Sequence, residues 1–146
     1  ERVYLVKNST IEEILGEIPI SSYYDTINDF ITSAVHMINV FKHTEPISSN
    51  FEDHSPVARI TTFGMVNLDS GTENLFFPLQ HPREKIYYYA INKNILKTDK
   101  GLHRKIMQQI KSKINNKEID VTYGIYSTEY ENDYVYSVAN ASFVQR

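Results

Sequence analysis

The sequence predicts one α+β domain over residues 1–146, with a mostly antiparallel sheet of about five or six strands and helices on one face. Three observations favour this class. Two long segments repeat apolar residues at helical spacing, and several short segments are rich in β-branched and aromatic residues. The strands in the second half of the chain are separated by connections of hairpin length, which favour antiparallel neighbours.

The predicted order of elements is β-α-α-β-β-β-α-β-β. Residues 3–6 form a short apolar run that predicts a strand. Ser9 stands three residues before Glu12, the spacing of a capping box, so a short helix follows and ends near Gly16. A second helix starts near residue 22 and ends before Pro46. It carries an apolar stripe typical of a helix on a core, formed by Ile27, Phe30, Ile31, Ala34, Ile38 and Phe41.

The second half begins with an irregular stretch over residues 44–56 and a strand over 57–68. The turn at 69–71 and a second strand at 75–79 predict a hairpin, and Pro78 favours an edge position for that second strand. Residues 86–91 predict a third strand. A helix over residues 101–117 follows, with Leu102, Ile106, Ile110 and Ile114 facing the sheet. Strands at 119–125 and 134–144 are expected to pair as a closing hairpin.

Charge is unevenly distributed along the chain. Eight of the fifteen Lys and Arg residues and a single acid lie between residues 93 and 117, a local net charge of +7 against −10 for the rest. A basic segment on an acidic body is a candidate docking surface for an anion, a nucleic acid or an acidic protein. The predicted binding residues are Arg104, Lys105, Lys111 and Lys113. The alternative is an ordinary solvated helix face.

Eleven tyrosines are the main compositional oddity. Tyr87, Tyr88 and Tyr89 are consecutive in a predicted strand, so at least one must point away from its neighbours. Core packing is the favoured interpretation. A protein interface and base stacking are the alternatives that remain open.

The search for catalytic chemistry gives one weak alternative. Glu52, Asp53 and His54 on one loop and His81 with Arg83 on another could meet, giving a base, an acid and an anion clamp for phosphoester or nucleotide hydrolysis. The five histidines show no paired metal-ligand spacing, and no G-x-S-x-G motif or glycine-rich phosphate loop is present. No metal and no cofactor are therefore predicted.

These observations favour a non-enzymatic binding or assembly protein that docks a macromolecule through its sheet face or the basic helix. The frequent Asn, Ile, Lys and Tyr are the bias of an AT-rich genome, which suggests a phage or viral accessory or structural subunit. A protein partner is favoured, and nucleic acid or another polyanion is the alternative through the basic helix. Without cysteine, a signal peptide or a membrane span, a cytoplasmic location is expected, or the virion if the protein is viral. The oligomeric state is not predicted, and no stretch resembles a known family.

Overall fold

The computed structural model describes residues 3–17, 19–49, 60–114 and 119–141. These residues form one sheet with helices packed against it. The elements in chain order are β1 (Val3–Tyr4), α1 (Asn8–Leu15), a 3₁₀ turn (Ile20–Ser22), α2 (Tyr23–Lys42), β2 (Ser48–Ser49), β3 (Ile60–Val66), β4 (Glu73–Leu75), β5 (Glu84–Asn92), α3 (Lys93–Thr98), α4 (Leu102–Ile114), β6 (Asp120–Thr128) and β7 (Tyr134–Ala141).

The sheet is mixed, so the prediction of a mostly antiparallel sheet is wrong. Its seven strands in the described part of the chain run β1-β3-β7-β5-β6-β2, and β4 pairs with β3. β5 and β6 are parallel along their whole lengths, and β1 is parallel to β3. The physical reason is the connection: α3 and α4 together form a crossover long enough to return the chain to the same end of the sheet.

The last strand does not pair with the one before it. β7 lies between β3 and β5 and is antiparallel to both, so the predicted closing hairpin of β6 and β7 is wrong. The short turn after β6 looked like a hairpin connection, but it carries the chain across β5 instead. Residues 142–144, which the sequence assigned to this strand, lie outside the described residues.

Helices cover both faces of the sheet, in contrast to the prediction of one covered face. Tyr88 and Ala90 of β5 belong to the core that includes α1 and α2. Tyr87 and Tyr89, which alternate with them, belong to the core under α4. A strand with apolar residues on both sides is typical of a sheet buried on both faces. All three consecutive tyrosines are thus core residues, as favoured from the sequence.

The apolar stripe of α2 packs on the first face, as predicted. Ile27, Ala34, Ile38 and Phe41 are buried. The Phe41 ring stacks on Tyr126 with ring centroids 4.8 Å apart. Phe30 and Ile31 are only partly buried against the same core.

The hairpin of β3 and β4 is confirmed, but β4 covers Glu73–Leu75 and shares only Leu75 with the strand predicted at 75–79. It lies on the outer side of β3. The Asn67 side chain accepts hydrogen bonds from the backbone N–H groups of Asp69 and Ser70, at 2.9 and 3.1 Å. Gly71 follows with φ of 74°, a left-handed conformation that glycine adopts without strain. Residues 57–59 of the predicted first strand lie outside the described residues.

A buried polar chain ties three strands together at the end of the sheet where β5 begins. The hydroxyl of Thr61 donates to Asn140 Oδ1 at 2.6 Å. The Asn140 amide in turn donates to Glu84 Oε1 at 2.8 Å. Both side-chain bonds are shielded from water, which favours one register for β3, β7 and β5. None of the helices among the described residues is long and apolar enough to cross a membrane.

Candidate functional site

The basic segment folds as two helices instead of one. The Asn92 side chain accepts a hydrogen bond from the Asn94 backbone at 2.8 Å and so caps α3. α4 then buries Leu102, Ile106 and Ile110 against the sheet. Ile114, which was predicted to face the sheet, is 46% exposed. Residues 115–117 of the predicted helix lie outside the described residues.

The four predicted binding residues differ in their exposure and in their contacts. Arg104 and Lys111 are exposed and form no ion pair with a described residue. Lys105 contacts Asp69 in the β3–β4 turn, with 2.7 Å between Nζ and Oδ1. Lys113 is half-buried and lies over the Tyr87 ring. We call the exposed cations of residues 93–114 that form no ion pair with a described residue the basic surface; they are Lys97, Lys100, Arg104 and Lys111.

A charged cluster that the sequence did not reveal lies beneath the end of α4. Lys85 Nζ is 2.7 Å from Glu73 Oε1, and both side chains are largely buried. Burial raises the pKa of Tyr87, and the nearby Glu73 carboxylate raises it further. Burial lowers the pKa of Lys113, an effect that Glu73 opposes. The cluster joins β4, β5 and α4, and only a tertiary contact brings its members together.

Three polar atoms near this cluster are buried and have no hydrogen-bond partner among the described residues. They are Glu73 Oε2, the Tyr87 hydroxyl and the Ser137 hydroxyl. Tyr87 and Ser137 are paired across β5 and β7. The Tyr87 hydroxyl approaches the Glu73 carboxylate without meeting the geometry of a hydrogen bond. Ser137 also leaves no room for a side chain at position 64, because a Cβ on Gly64 would lie 2.6 Å from the Ser137 hydroxyl oxygen.

The loop histidine site remains a prediction. His54 lies outside the described residues. His81 and Arg83 are both exposed, and His81 has a left-handed φ of 53°. The Arg83 backbone donates to Asn140 O at 2.7 Å and accepts from the Asp120 N–H at 2.9 Å. Neither residue lines the two cavities below, and no group of three metal-ligating side chains occurs within the described residues.

Two cavities lie at the borders of the sheet. A groove of about 450 Å³ separates α1 from β4 and is lined by Thr10, Glu13 and Glu73, among others. A smaller pocket of about 100 Å³ lies between α4 and β6, with Asp99 and His103 among its lining residues. Ser48 also lines the smaller pocket, but no hydrogen bond among the described residues joins it to His103, so the pocket does not by itself indicate a catalytic centre.

A group of exposed acids lies on the helices that cover the face of the sheet opposite α4. Its exposed carboxylates lie on α1, on the connection to α2 and on the first turns of α2. We call this the acidic surface, formed by Glu12, Glu13, Glu17, Asp25 and Asp29. Two large apolar side chains project among them: Ile20 is 96% exposed and Tyr24 is 69% exposed. Tyr23 links α2 to α1, because its hydroxyl donates a hydrogen bond to Glu12 Oε2 at 3.0 Å.

No protein-family model matches the chain, and no curated protein matches its sequence. Solved structures do match its fold. An FtsZ dimer from M. jannaschii matches with a TM-score of 0.68 and 12% identity, covering 94% of this chain and 44% of that one. CetZ from Methanosaeta thermophila gives 0.60 and 16%, covering 98% and 43%. TubZ from Bacillus thuringiensis serovar israelensis, in GDP-form protofilaments, gives 0.61 and 15%, covering 94% and 42%.

The chain therefore has an FtsZ/tubulin-like fold and spans less than half the length of each of these proteins. The expectation of a non-enzymatic phage or viral subunit is wrong, because the structural neighbours are FtsZ, CetZ and TubZ. A virion location likewise has no support, and a cytoplasmic one stays a prediction. Nothing in these comparisons supports nucleic-acid binding, and the partner of this chain stays a prediction; two of the neighbouring structures are an FtsZ dimer and a TubZ protofilament.

Proposed function

We propose that this chain is the assembly domain of a filament-forming protein of FtsZ/tubulin-like fold, whose polymerisation depends on guanine nucleotide. The observation that carries the proposal is the extent of the likeness, 94% of the chain at a TM-score of 0.68. The neighbours include an FtsZ dimer, and TubZ in GTPγS-form and GDP-form protofilaments. The partner proposed here is a further copy of the same protein.

We assign the assembly role, and not the main nucleotide-holding role, to these residues for a chemical reason. A phosphate loop uses closely spaced glycines so that successive backbone N–H groups can surround the phosphates. The five glycines of this chain are dispersed at positions 16, 64, 71, 101 and 124. Gly64 and Gly71 are accounted for by a close packing contact and a turn. The exposed helical surfaces therefore carry the proposed function.

The test is made on the natural polypeptide that contains this chain. Sedimentation and negative-stain electron microscopy are carried out with GTP, GTPγS, GDP and no nucleotide, and phosphate release is followed in parallel. With GTP or GTPγS we expect filaments that sediment, and with GDP we expect far less protein in the pellet. A protein that stays monomeric under all four conditions, at concentrations well above those of the cell, would contradict it.

A further inference from the structure

The outer edge of β4 carries backbone groups that could pair with a further strand. Phe76, directly after β4, donates its backbone N–H to Phe63 O of β3 at 2.7 Å. Hydrogen-bonded and non-hydrogen-bonded pairs alternate along an antiparallel ladder. Two positions before Phe76, Asn74 is therefore turned toward β3, whereas the N–H and C=O groups of Glu73 and Leu75 are turned away from it. No hydrogen bond with another described element engages these outward groups.

The outer edge of β4 borders the groove that separates this strand from α1. The groove volume of about 450 Å³ lies within the range of about 300–1,000 Å³ that is usual for ligand sites. Ile14 on the wall formed by α1, and Leu75 and Pro78 on the opposite wall, give the groove an apolar lining. The groove therefore offers an extended chain segment both a free strand edge and apolar contacts.

The charged side chains that line the groove are acidic. They are Glu13 and Glu73, and no Lys or Arg is among the described residues of the lining. The Glu73 carboxylate is neutralised by Lys85, whose Nζ lies 2.7 Å from Oε1. Glu13 is exposed and forms no ion pair with a described residue. A Lys or Arg on the occupant of the groove would therefore meet a carboxylate that no described cation neutralises.

We propose that this groove binds an extended basic peptide segment of a partner protein, which adds a strand to the free edge of β4. Strand addition is a general mode of peptide recognition, in which main-chain hydrogen bonds contribute affinity and side-chain contacts contribute specificity. The outward groups of Glu73 and Leu75 bond the peptide backbone. Ile14 and Pro78 contact an apolar side chain of the peptide, and Glu13 binds its Lys or Arg. The inference goes beyond the proposed function and does not depend on filament formation.

The short length of β4 makes side-chain contacts necessary. The strand has three residues, two of which turn their backbone outward, so at most four main-chain hydrogen bonds can form with the peptide. A short edge strand also limits pairing with unrelated strands. Glu13 and the apolar lining therefore decide which segments bind, and a segment without Lys or Arg is a poor ligand.

Amide hydrogen exchange tests the free edge, on the natural polypeptide that contains this chain. Without any peptide, the Asn74 N–H should exchange about tenfold more slowly than those of Glu73 and Leu75, because only Asn74 is bonded to β3. A bound peptide should slow the exchange at Glu73 and Leu75. Equally slow exchange at all three positions without peptide would show that another part of the polypeptide already occupies the edge, and the proposal would be overturned.

Peptide binding is measured by fluorescence anisotropy with labelled synthetic peptides of about six residues, the usual length of a strand. One set combines Val, Ile, Thr and Tyr with a central Lys or Arg, and the matched set has a central Asp or Glu. The best basic peptides should bind about tenfold more tightly than their acidic counterparts. Backbone N-methylation at alternate residues of a basic peptide should weaken binding about tenfold in one phase and not in the other, because only every second N–H faces β4. Basic peptides that bind no better than acidic ones, or that tolerate N-methylation at every position, would overturn the proposal.

Two variants of matched charge locate the bound peptide. Glu13→Lys should weaken binding of a basic peptide about tenfold, since an attraction becomes a repulsion. Glu131→Lys, at an exposed position of the β6–β7 turn that does not line the groove, is the control and should bind as wild type does. Circular dichroism checks that both variants are folded. Equal affinities of Glu13→Lys and wild type would overturn the proposal and leave GTP-dependent filaments standing, whereas peptide binding by a protein that forms no filaments would contradict only the proposed function.

Discussion

The ammonium group of Lys113 lies 5.0 Å from the centroid of the Tyr87 ring, on the face of the sheet covered by α4. A cation over an aromatic face is attracted by the ring electrons, and the attraction is stronger where water is excluded. The contact explains why Lys113 is not part of the basic surface. The contact also holds the end of α4 against Tyr87. The hydroxyl of this tyrosine has no hydrogen-bond partner among the described residues.

Removal of the Tyr87 hydroxyl should therefore cost little. Tyr87→Phe keeps the ring under Lys113 and deletes a buried, unpartnered polar atom, so the free energy of unfolding should change by less than about 1 kcal/mol. Urea unfolding measures it. Tyr89→Phe is the control, because the Tyr89 hydroxyl lies 3.4 Å from Gln109 Oε1 and its loss should destabilise slightly more. A loss above about 2 kcal/mol for Tyr87→Phe would mean that its hydroxyl is hydrogen-bonded after all.

Breaking the ion pair of Glu73 and Lys85 should be costly, whereas replacing both partners should not. Lys85→Met leaves the Glu73 carboxylate largely buried, and unfolding should become easier by roughly 3 kcal/mol, the low end for buried pairs because some exposure remains. Adding Glu73→Leu should recover most of this loss. A double-mutant cycle in urea measures the coupling. Losses of the two single variants that add up to the loss of the double variant would show that the pair contributes nothing.

The α2 stripe should be most sensitive at its buried end. Phe41→Ala removes a buried ring that stacks on Tyr126 and should destabilise by about 3–5 kcal/mol. Phe30→Ala should cost less, because Phe30 is only partly buried, although its ring lies 5.2 Å from that of Phe76. Thermal or urea unfolding of both variants gives the comparison. The reverse order of losses would place the tighter packing at the start of α2.

Alkaline pH should unfold the protein through its buried tyrosines. Burial raises the pKa of Tyr126 to about 12 and raises the pKa of Tyr87, Tyr88 and Tyr89 as well. The unfolded chain releases these protons near pH 10, so it binds fewer protons than the native state there, and stability falls as the pH rises from about 10 to 12. Absorbance at 295 nm and circular dichroism should change together for these tyrosines. Their ionisation well before unfolding would contradict this burial.

Local patterns in the sequence predicted most of the elements but little of their arrangement. The stripe of α2 and the turn at 69–71 are recognisable because each depends on neighbours within a few residues. Strand pairing is different, since the insertion of β7 depends on contacts between residues about eighty positions apart. The tyrosines of β5 did indicate burial, yet apolar residues on both sides of one strand should also have indicated helices on both faces.

The candidate surfaces were predictable only in part. Clustering of Lys and Arg located the basic surface, but not the contacts that occupy Lys105 and Lys113. Asp69 and Tyr87 contact these lysines only in the folded protein. The spacing of the residues along the chain does not predict these contacts. The acidic surface was hidden in the overall excess of acids, because only the position of α1 and α2 on one face concentrates Glu17 and Asp29 there.

The position of β7 has a consequence for synthesis on the ribosome. β3 and β5 are not neighbours, and the strand that joins them is the last one described. A nascent chain that has emerged only as far as β6 can form the β5–β6 pair, but it leaves β3 and β5 with unpaired edges that could recruit other chains. The sheet therefore becomes one body only when residues 134–141 are available. A chain that terminates early, between Thr128 and Tyr134, should aggregate instead of accumulating as a smaller folded protein.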